Sequence, residues 1–125
     1  MAKTILIIDD EKDMRTYLST LFQTAGYETR TAVNGEEGLA LATEKTPDLI
    51  TLDVLMPKKS GVRAYRELRT GDATKGVPIV ILTGLTKQED LFGEDLGDLA
   101  RPDAMVEKPI DREAFLAQVQ GILGD

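Results

Sequence analysis

Three short runs of branched apolar residues constrain the fold of this chain more than any other feature. The runs are Ile-Leu-Ile-Ile at 5–8, Leu-Ile-Thr-Leu at 49–52 and Ile-Val-Ile-Leu at 79–82. Each run is nearly continuous, whereas a strand with one face in water would alternate apolar and polar residues. The runs therefore predict strands of a parallel sheet that is covered by helices on both faces.

Helical patterns fall between the predicted strands and carry their own end signals. Gly26 stands where the C-terminal cap of a first helix is expected, and Asn34 followed by Glu37 forms a capping box for a second helix. Ser60 would cap a third helix, and Asp111 would open the last one. These signals predict helices that alternate with the strands.

Two weaker strands complete the alternation. The stretch 28–32 is polar on alternate residues, as an edge strand is, and the stretch 104–106 is short. The chain then consists of five β-α units in order. This alternation predicts an α/β fold with a doubly wound, parallel, five-stranded sheet.

Length and composition limit the remaining possibilities. The 125 residues fit one domain over residues 1–125, and 42% hydrophobic residues are enough for a buried core. The chain has no cysteine and no histidine, which excludes disulfides, thiolate or imidazole metal ligands and histidine-based catalysis. The formal net charge of -7 would repel phosphate backbones and anionic lipid, so we expect no direct nucleic-acid binding and no membrane binding. The apolar run after Met1 is too short for a signal peptide or a membrane span, and we expect a cytoplasmic protein.

Polar side chains follow the predicted strands at the points where those strands end. Asp9 and Asp10 follow the first apolar run, Asp53 follows the second and Thr83 the third. Lys108 comes just after the last predicted strand. Ligands of open parallel sheets bind beyond the carboxyl ends of the strands. The sequence therefore predicts that these groups share one pocket.

Three carboxylates, one hydroxyl and one ammonium at one edge form a chemically coherent set. The carboxylates would repel one another unless a cation lies among them, and an all-oxygen ligand set suits a hard ion, Mg²⁺ above all. One carboxylate could attack phosphorus and form an acyl phosphate, a reaction that needs positive charge more than acid–base groups. Taken singly, each residue is more typical of a helix cap, a turn or a surface charge. Their common position favours the functional interpretation.

The motifs taken together resemble the signature of response-regulator receiver domains. They are the stretch 5–11 (Ile-Leu-Ile-Ile-Asp-Asp-Glu), the stretch 52–57 (Leu-Asp-Val-Leu-Met-Pro), Ser60-Gly61, Thr83 and Lys108-Pro109. The resemblance covers essentially the whole chain. It implies a flavodoxin-like (βα)5 fold with strand order 2-1-3-4-5, and a phosphorylatable switch in two-component or phosphorelay signalling.

Carried over residue by residue, the resemblance implies a phosphorylation site. Asp53 matches the phosphoacceptor, and Asp9 and Asp10 match the acidic pair that holds Mg²⁺. Asp53 and the backbone carbonyl of Leu55 match further ligands of the metal. Lys108 matches the lysine that pairs with the phosphoryl oxygens. By this resemblance, Asp53 and Lys108 carry the chemistry.

The switch residues follow the family less closely. Thr83 matches the hydroxyl that moves towards the phosphate on activation, but Met105 stands where the family usually has an aromatic residue. Methionine is flexible and has no bulky ring, so the aromatic arm of the switch departs from the family pattern. The Lys108–Pro109 peptide bond is similar to one that is often cis in this family.

The resemblance also implies partners and a direction of signalling. The phosphoryl group would come from a phosphohistidine on a histidine kinase or a phosphotransfer protein, and the signal would leave to a downstream protein target. The surface for this signal is the face formed by the fourth helix, the fifth strand and the last helix.

The acidic segment 86–103 contains Gly93 and Gly97, which predict a marginal helix. This segment is our candidate for the element that shifts on phosphorylation. Leu55 and Leu85 stand where polar residues commonly tune dephosphorylation, so we expect slow autodephosphorylation. Because the chemistry would occur on the domain itself, we do not expect a turnover enzyme.

Three other functions are alternatives to that of a phosphorylated receiver domain. A receiver-like scaffold that never takes up phosphate is supported by Met105. A phosphohydrolase that works through an aspartyl phosphate would place a second acid two residues after its nucleophile, where this chain has Leu55. A flavodoxin-like cofactor binder needs a first loop that cradles phosphate, and the Asp-Asp-Glu sequence at 9–11 would repel it.

Overall fold

The computed structural model describes residues 2–53, 60–83 and 102–125. Within these ranges the chain forms five strands and four helices. The strands are β1 (Thr4–Ile8), β2 (Glu28–Ala32), β3 (Leu49–Asp53), β4 (Ile79–Thr83) and β5 (Ala104–Glu107). The helices are α1 (Lys12–Thr24), α2 (Gly35–Glu44), α3 (Ser60–Thr70) and α4 (Arg112–Leu123). Among the described residues, none of the helices has the length and apolar character of a membrane span.

The five strands form one parallel sheet in the order β2-β1-β3-β4-β5. This order confirms the doubly wound, flavodoxin-like fold expected from the sequence. The chain moves outward from β1 to the edge strand β2, returns past β1 to β3 and continues to β5. The direction of winding therefore reverses between β1 and β3. In open α/β sheets, ligands bind in the crevice beyond the strand ends at such a switch point.

The three continuous apolar runs are buried on both faces, as their sequence predicts. Every residue of β1, β3 and β4 is buried. Leu6 points towards α2 and α3, where it joins a cluster that includes Tyr65. Ile7 points the other way, into a cluster with Phe22 of α1 and Phe115 of α4. Two hydrophobic cores, one on each face, thus fix the central strands.

The outer strands are less buried than the central ones. β2 exposes Glu28 and Thr31 to solvent, which confirms the prediction of an edge strand. β5 forms the opposite edge, and none of its residues is fully buried. Hydrophobic burial specifies strand register strongly only where a face is fully covered. The register of β5 therefore depends more on polar contacts than that of β3 or β4.

Side-chain caps begin two helices at the predicted positions. The N–H of Glu37 donates to Asn34 Oδ1 at 2.8 Å, and Glu37 Oε1 accepts from the N–H of Val33 at 3.1 Å. Asp111 caps α4 by accepting a hydrogen bond from the N–H of Ala114 at 3.2 Å. The two cap predictions are confirmed.

Other helix-end predictions have mixed outcomes. Gly26 follows α1 with φ of 99°, in the left-handed region that favours glycine. The cap prediction for Ser60 was one residue late, because α3 already includes Ser60 as its first residue. The helix expected within 86–103, with Gly93 and Gly97, lies outside the described residues except for positions 102 and 103.

Gly38 lets α2 approach the strand that leads to the acidic edge. A Cβ at this position would lie 2.3 Å from Cδ1 and 2.7 Å from Cγ1 of Ile8, a buried residue of β1. Although alanine is the better helix former, Gly38→Ala should lower the free energy of unfolding by about 1–3 kcal/mol because the core is overpacked. Urea denaturation measures this change.

Gly121→Ala is the matched control, since Gly121 also lies within a helix and an added Cβ would meet no described atom within 4 Å. This variant should raise the free energy of unfolding by about 0.5–1 kcal/mol. A Gly38→Ala protein that gains as much stability as Gly121→Ala would contradict the close packing against Ile8.

Candidate functional site

The carboxyl ends of β1 and β3 bring three carboxylates together. Asp9 and Asp10 follow β1, and Asp53 is the last residue of β3. One carboxylate oxygen of each residue lies within 4.8 Å of those of the other two. The two strands are hydrogen-bonded neighbours with Ile8 opposite Leu52, so they reach the sheet edge side by side. The structure thus assembles the predicted acidic cluster.

Asp9 has a buried carboxylate that the described residues satisfy only in part. Its Oδ1 accepts a hydrogen bond from the N–H of Glu11 at 2.9 Å, while its buried Oδ2 has no donor in the described ranges. Burial raises the pKa of Asp9 to about 6, against the opposing effect of the Glu11 hydrogen bond and with a contribution from the charge of Asp53. A bound cation would provide the missing partner for this oxygen.

Asp53 and Lys108 form an ion pair that spans β4. The Nζ of Lys108 donates to Oδ2 of Asp53 at 3.0 Å, and the Asp53 side chain is only 3% exposed. Burial alone would lower the pKa of Lys108, but its hydrogen bond to Asp53 and the charges of Asp53 and Asp9 raise this pKa above its usual value. Lys108 is therefore a cation beside a buried carboxylate.

The end of β4 holds the backbone of Lys108 at the same edge. Thr83 is buried, and its carbonyl oxygen accepts a hydrogen bond from the N–H of Lys108 at 2.8 Å. This contact continues the β4–β5 ladder one residue beyond Glu107, which lies opposite Thr83. The Lys108–Pro109 peptide bond is cis. The hydroxyl-bearing residue and the lysine thus lie at the ends of adjacent strands, as predicted.

Arg15 contacts the site but was not singled out by sequence reasoning. Its guanidinium donates to the carbonyl oxygen of Asp9 at 2.8 Å, and the N–H of Asp9 donates to the carbonyl oxygen of Ala32 at 3.1 Å. The backbone of Asp9 is therefore tied to both α1 and β2. The available signal was the place of Arg15 in the first turns of a helix that begins close to the acidic pair.

The remaining predicted residues lie in the core or outside the described ranges. Met105 is half-buried opposite Ile81 and packs against the core cluster beside α2 and α3. Ile81 and Thr83 share a face of the sheet because side chains alternate along a strand, so Met105 lies on the face of Thr83. Leu55 and Leu85 lie outside the described residues, and their roles stay predictions.

The fold and the site together define a doubly wound α/β domain with an acidic pocket and a paired lysine at the topological switch point. The donor set fits a hard divalent cation, because it offers carboxylate oxygens from Asp9, Asp10 and Asp53. Lys108 offsets only one of the three negative charges that these residues carry when ionised. With this ion pair of the described residues counted, the cluster keeps a surplus of negative charge.

Comparison with known proteins identifies the family. The family model of the response regulator receiver domain matches residues 5–120, and the chain belongs to this family. It is thus a receiver domain of the two-component response regulators. The DNA-binding dual master transcriptional regulator RpaA of Synechocystis is 38% identical over 120 residues, which cover 95% of this chain and 48% of RpaA. The chain spans about half the length of the curated relatives it matches.

Solved structures show the same architecture. The chemotaxis protein CheY4 of Vibrio cholerae has a TM-score of 0.85 and 32% identity, with 98% of this chain and 99% of CheY4 covered. The receiver domain of the sensor histidine kinase PA1611 of Pseudomonas aeruginosa shares the fold, with a TM-score of 0.83, 23% identity and complete coverage of both chains, each 100%. A magnesium ion is coordinated in the active site cleft of that protein.

Neutralising Asp9 should stabilise the folded protein in a pH-dependent manner. In Asp9→Asn the amide oxygen can still accept from the N–H of Glu11, but the buried charge is absent. The pKa of Asp9 is about 6 in the folded state and near 3.8 in the unfolded state, so the stability of the wild type falls as the pH rises through this range. Without divalent cations, urea midpoints should show a gain for the variant at about pH 7.5 that shrinks towards about pH 4.

Asp10→Asn is the matched control, because it removes an exposed acid from the same cluster. Its effect on stability at about pH 7.5 should be smaller, because the acid that it removes is exposed. If the gain of Asp9→Asn were equal at both ends of the range, the pKa of Asp9 would not be raised by folding.

Proposed function

We propose that this receiver domain takes up a phosphoryl group on Asp53 and works as a phosphorylation-controlled switch. The observation that carries the proposal is the contact of 3.0 Å between Lys108 Nζ and Asp53 Oδ2 within the acidic cluster. A carboxylate held beside a cation at a strand end has the chemistry of a phosphoryl acceptor. Receiver domains interact with histidine kinases, so a phosphohistidine on a kinase or phosphotransfer protein is the donor we infer.

The transfer is a displacement at phosphorus. A carboxylate oxygen of Asp53 forms the new O–P bond while the P–N bond to the imidazole of the donor breaks, and the imidazole nitrogen keeps the electron pair and takes up a proton. Lys108 would pair with the phosphoryl oxygens as negative charge builds on them. The hydroxyl of Thr83 would donate a hydrogen bond to the phosphoryl group. The reaction needs no general base, which agrees with a chain that has no histidine.

Magnesium binding by the acidic cluster is part of the proposal. Asp9, Asp10 and Asp53 would hold the ion, with the carbonyl of Leu55 as a further ligand. Bound there, Mg²⁺ supplies positive charge to the phosphoryl oxygens. The buried Oδ2 of Asp9, which has no donor among the described residues, supports this assignment.

Phosphorylation would change the state of the domain and would not start repeated turnover of a free substrate. A phosphoryl group adds a charge of about -1.5 to -2 at Asp53, and the state that best accommodates this charge gains population. We propose that the segment 86–103, β5 and the last helix, α4, form the face that passes the change to a protein partner. Direct nucleic-acid contact by this domain is not part of the proposal, although the relative RpaA is a DNA-binding regulator.

Labelling with a small phosphodonor tests the acceptor. Acetyl phosphate with Mg²⁺ should add one phosphoryl group at Asp53, which mass spectrometry of the intact protein and its peptides can locate. Asp53→Asn should stay unlabelled. Lys108→Met should be labelled about a hundredfold more slowly, because a cation that stabilises the developing charge is lost.

Lys75→Met is the matched control for Lys108→Met, because it removes a mostly exposed lysine whose described ion pair is with Asp72. This variant should be labelled at the wild-type rate. Label on another residue, or equal labelling of Asp53→Asn, would exclude Asp53 as the acceptor.

The lifetime of the phosphoryl group tests the predicted slow autodephosphorylation. Leu55→Asn combined with Leu85→Glu should shorten the half-life at least about tenfold, because a polar group can orient or deprotonate the attacking water. The measurement is the loss of label after removal of the donor. The double alanine variant at the same positions is the control for lost bulk and should not match this effect. An unchanged half-life would overturn the hypothesis.

A further inference from the structure

Arg69 is a buried cation near the end of α3 that the proposed chemistry does not use. Its side chain is 6% exposed. The guanidinium donates to the carbonyl oxygens of Val77 at 2.8 Å and Lys75 at 3.3 Å, and it also donates to Asp103 Oδ1 at 2.8 Å. It contacts the hydroxyl of Tyr65 at 3.1 Å and lies 5.3 Å from the centre of its ring. A buried charge with several directed partners holds those partners in one arrangement.

Asp103 connects Arg69 to the sheet. It stands immediately before β5, and its Oδ1 accepts from the N–H of Ile79 at 2.9 Å. Its own N–H donates to the carbonyl oxygen of Ile79 at 2.9 Å. The first residue of β4 is thus bound twice by the residue that precedes β5. This pairing is in the same register that continues to Glu107 opposite Thr83.

Burial specifies the register of the edge strand β5 less strongly than that of its neighbour β4. None of its residues is fully buried, whereas all residues of its neighbour β4 are. A slip of one residue would turn each side chain of β5 to the opposite face, and the hydrophobic effect resists this slip only weakly on a half-covered strand. Polar contacts at the two ends of β5 therefore contribute more to its register than they would on a fully buried strand.

The register of β5 decides where Lys108 lies. The N–H of Lys108 is bonded to the carbonyl oxygen of Thr83 at 2.8 Å, and its Nζ lies 3.0 Å from Asp53 Oδ2. A slip of one residue would move Lys108 by about 3.3 Å along the strand and turn its side chain to the opposite face of the sheet. Either change is large enough to break the ion pair.

We propose that Arg69 is a positioning residue for the phosphorylation site: through Asp103 it fixes the register of β5 on β4 and so holds Lys108 against Asp53. The inference rests on the proposed function, because it gives Arg69 a part in the reaction that Asp53 and Lys108 carry. Arg69 binds at the amino ends of β4 and β5, whereas the reacting atoms lie beyond the carboxyl ends. It therefore acts only through the strand between them.

Labelling rates give the first test. With acetyl phosphate and saturating Mg²⁺, Arg69→Met and Asp103→Ala should be labelled about tenfold more slowly or worse, since a misplacement of 1 Å can cost about a hundredfold. Asp72→Ala is the matched control, because it removes a fully exposed acid that contacts only Lys75 among the described ion pairs. It should react at the wild-type rate. Wild-type rates for Arg69→Met and Asp103→Ala would overturn the proposal.

A double-mutant cycle separates positioning from general stabilisation. In the Lys108→Met background, Arg69→Met should cause no further slowing, because the group that Arg69 positions is gone. Equal slowing in both backgrounds would overturn the proposal. If Arg69→Met does not fold, Arg69→Lys replaces it in the cycle, since it keeps the charge and loses the planar fork.

Amide hydrogen exchange of the unphosphorylated protein gives an independent readout. The N–H of Lys108 should lose protection in Arg69→Met, while the N–H of Asp9, which is bonded to the carbonyl oxygen of Ala32 on the far side of the sheet, should keep it. Unchanged protection of Lys108 would contradict the positioning role. A wild-type protein that takes up no phosphoryl group, together with lost protection in Arg69→Met, would uphold the register anchor and overturn the proposed function of Asp53.

Discussion

The crowding of carboxylates at the ends of β1 and β3 is the constraint that the rest of the structure has to accommodate. Oxygens of three acids lie within 4.8 Å of one another, and the pKa of Asp9 is raised to about 6 by its burial. Such an arrangement persists only on a scaffold that holds the strands in place against charge repulsion. The continuous burial of β1, β3 and β4 provides that scaffold, and Lys108 offsets part of the negative charge.

The two halves of the site are held by different forces. The acidic half stands on strands that are fixed by burial on both faces, with Arg15 and Ala32 tying the backbone of Asp9. The cationic half stands on β5, an edge strand without a fully buried residue. Its pairing with β4 is extended by hydrogen bonds at both ends, from Asp103 to Ile79 before β5 and from Lys108 to Thr83 after it.

Short sequence motifs predicted the structure reliably where that structure is itself local. Asn34 and Asp111 cap helices because their side chains reach backbone N–H groups three residues later, which a short motif fully specifies. Ser60 was placed one residue too late, since the exact start of a helix depends on the preceding backbone. Arg15 was overlooked because its partner is a backbone carbonyl, which leaves no mark in the side-chain pattern.

By itself the sequence determined the three central strands, the edge position of β2 and the polar residues at the strand ends. Branched apolar runs are compatible with few structures other than a covered parallel sheet, and polar residues at alternate positions are typical of an edge strand. It also determined the family, through motifs spread along the chain. Only the tertiary structure decided that Lys108 contacts Asp53, 55 positions earlier, and that Arg69 reaches Asp103, 34 positions later. Such contacts depend on how separate segments pack and on the register of one weakly buried strand, and a pattern that is local in sequence does not contain these distances.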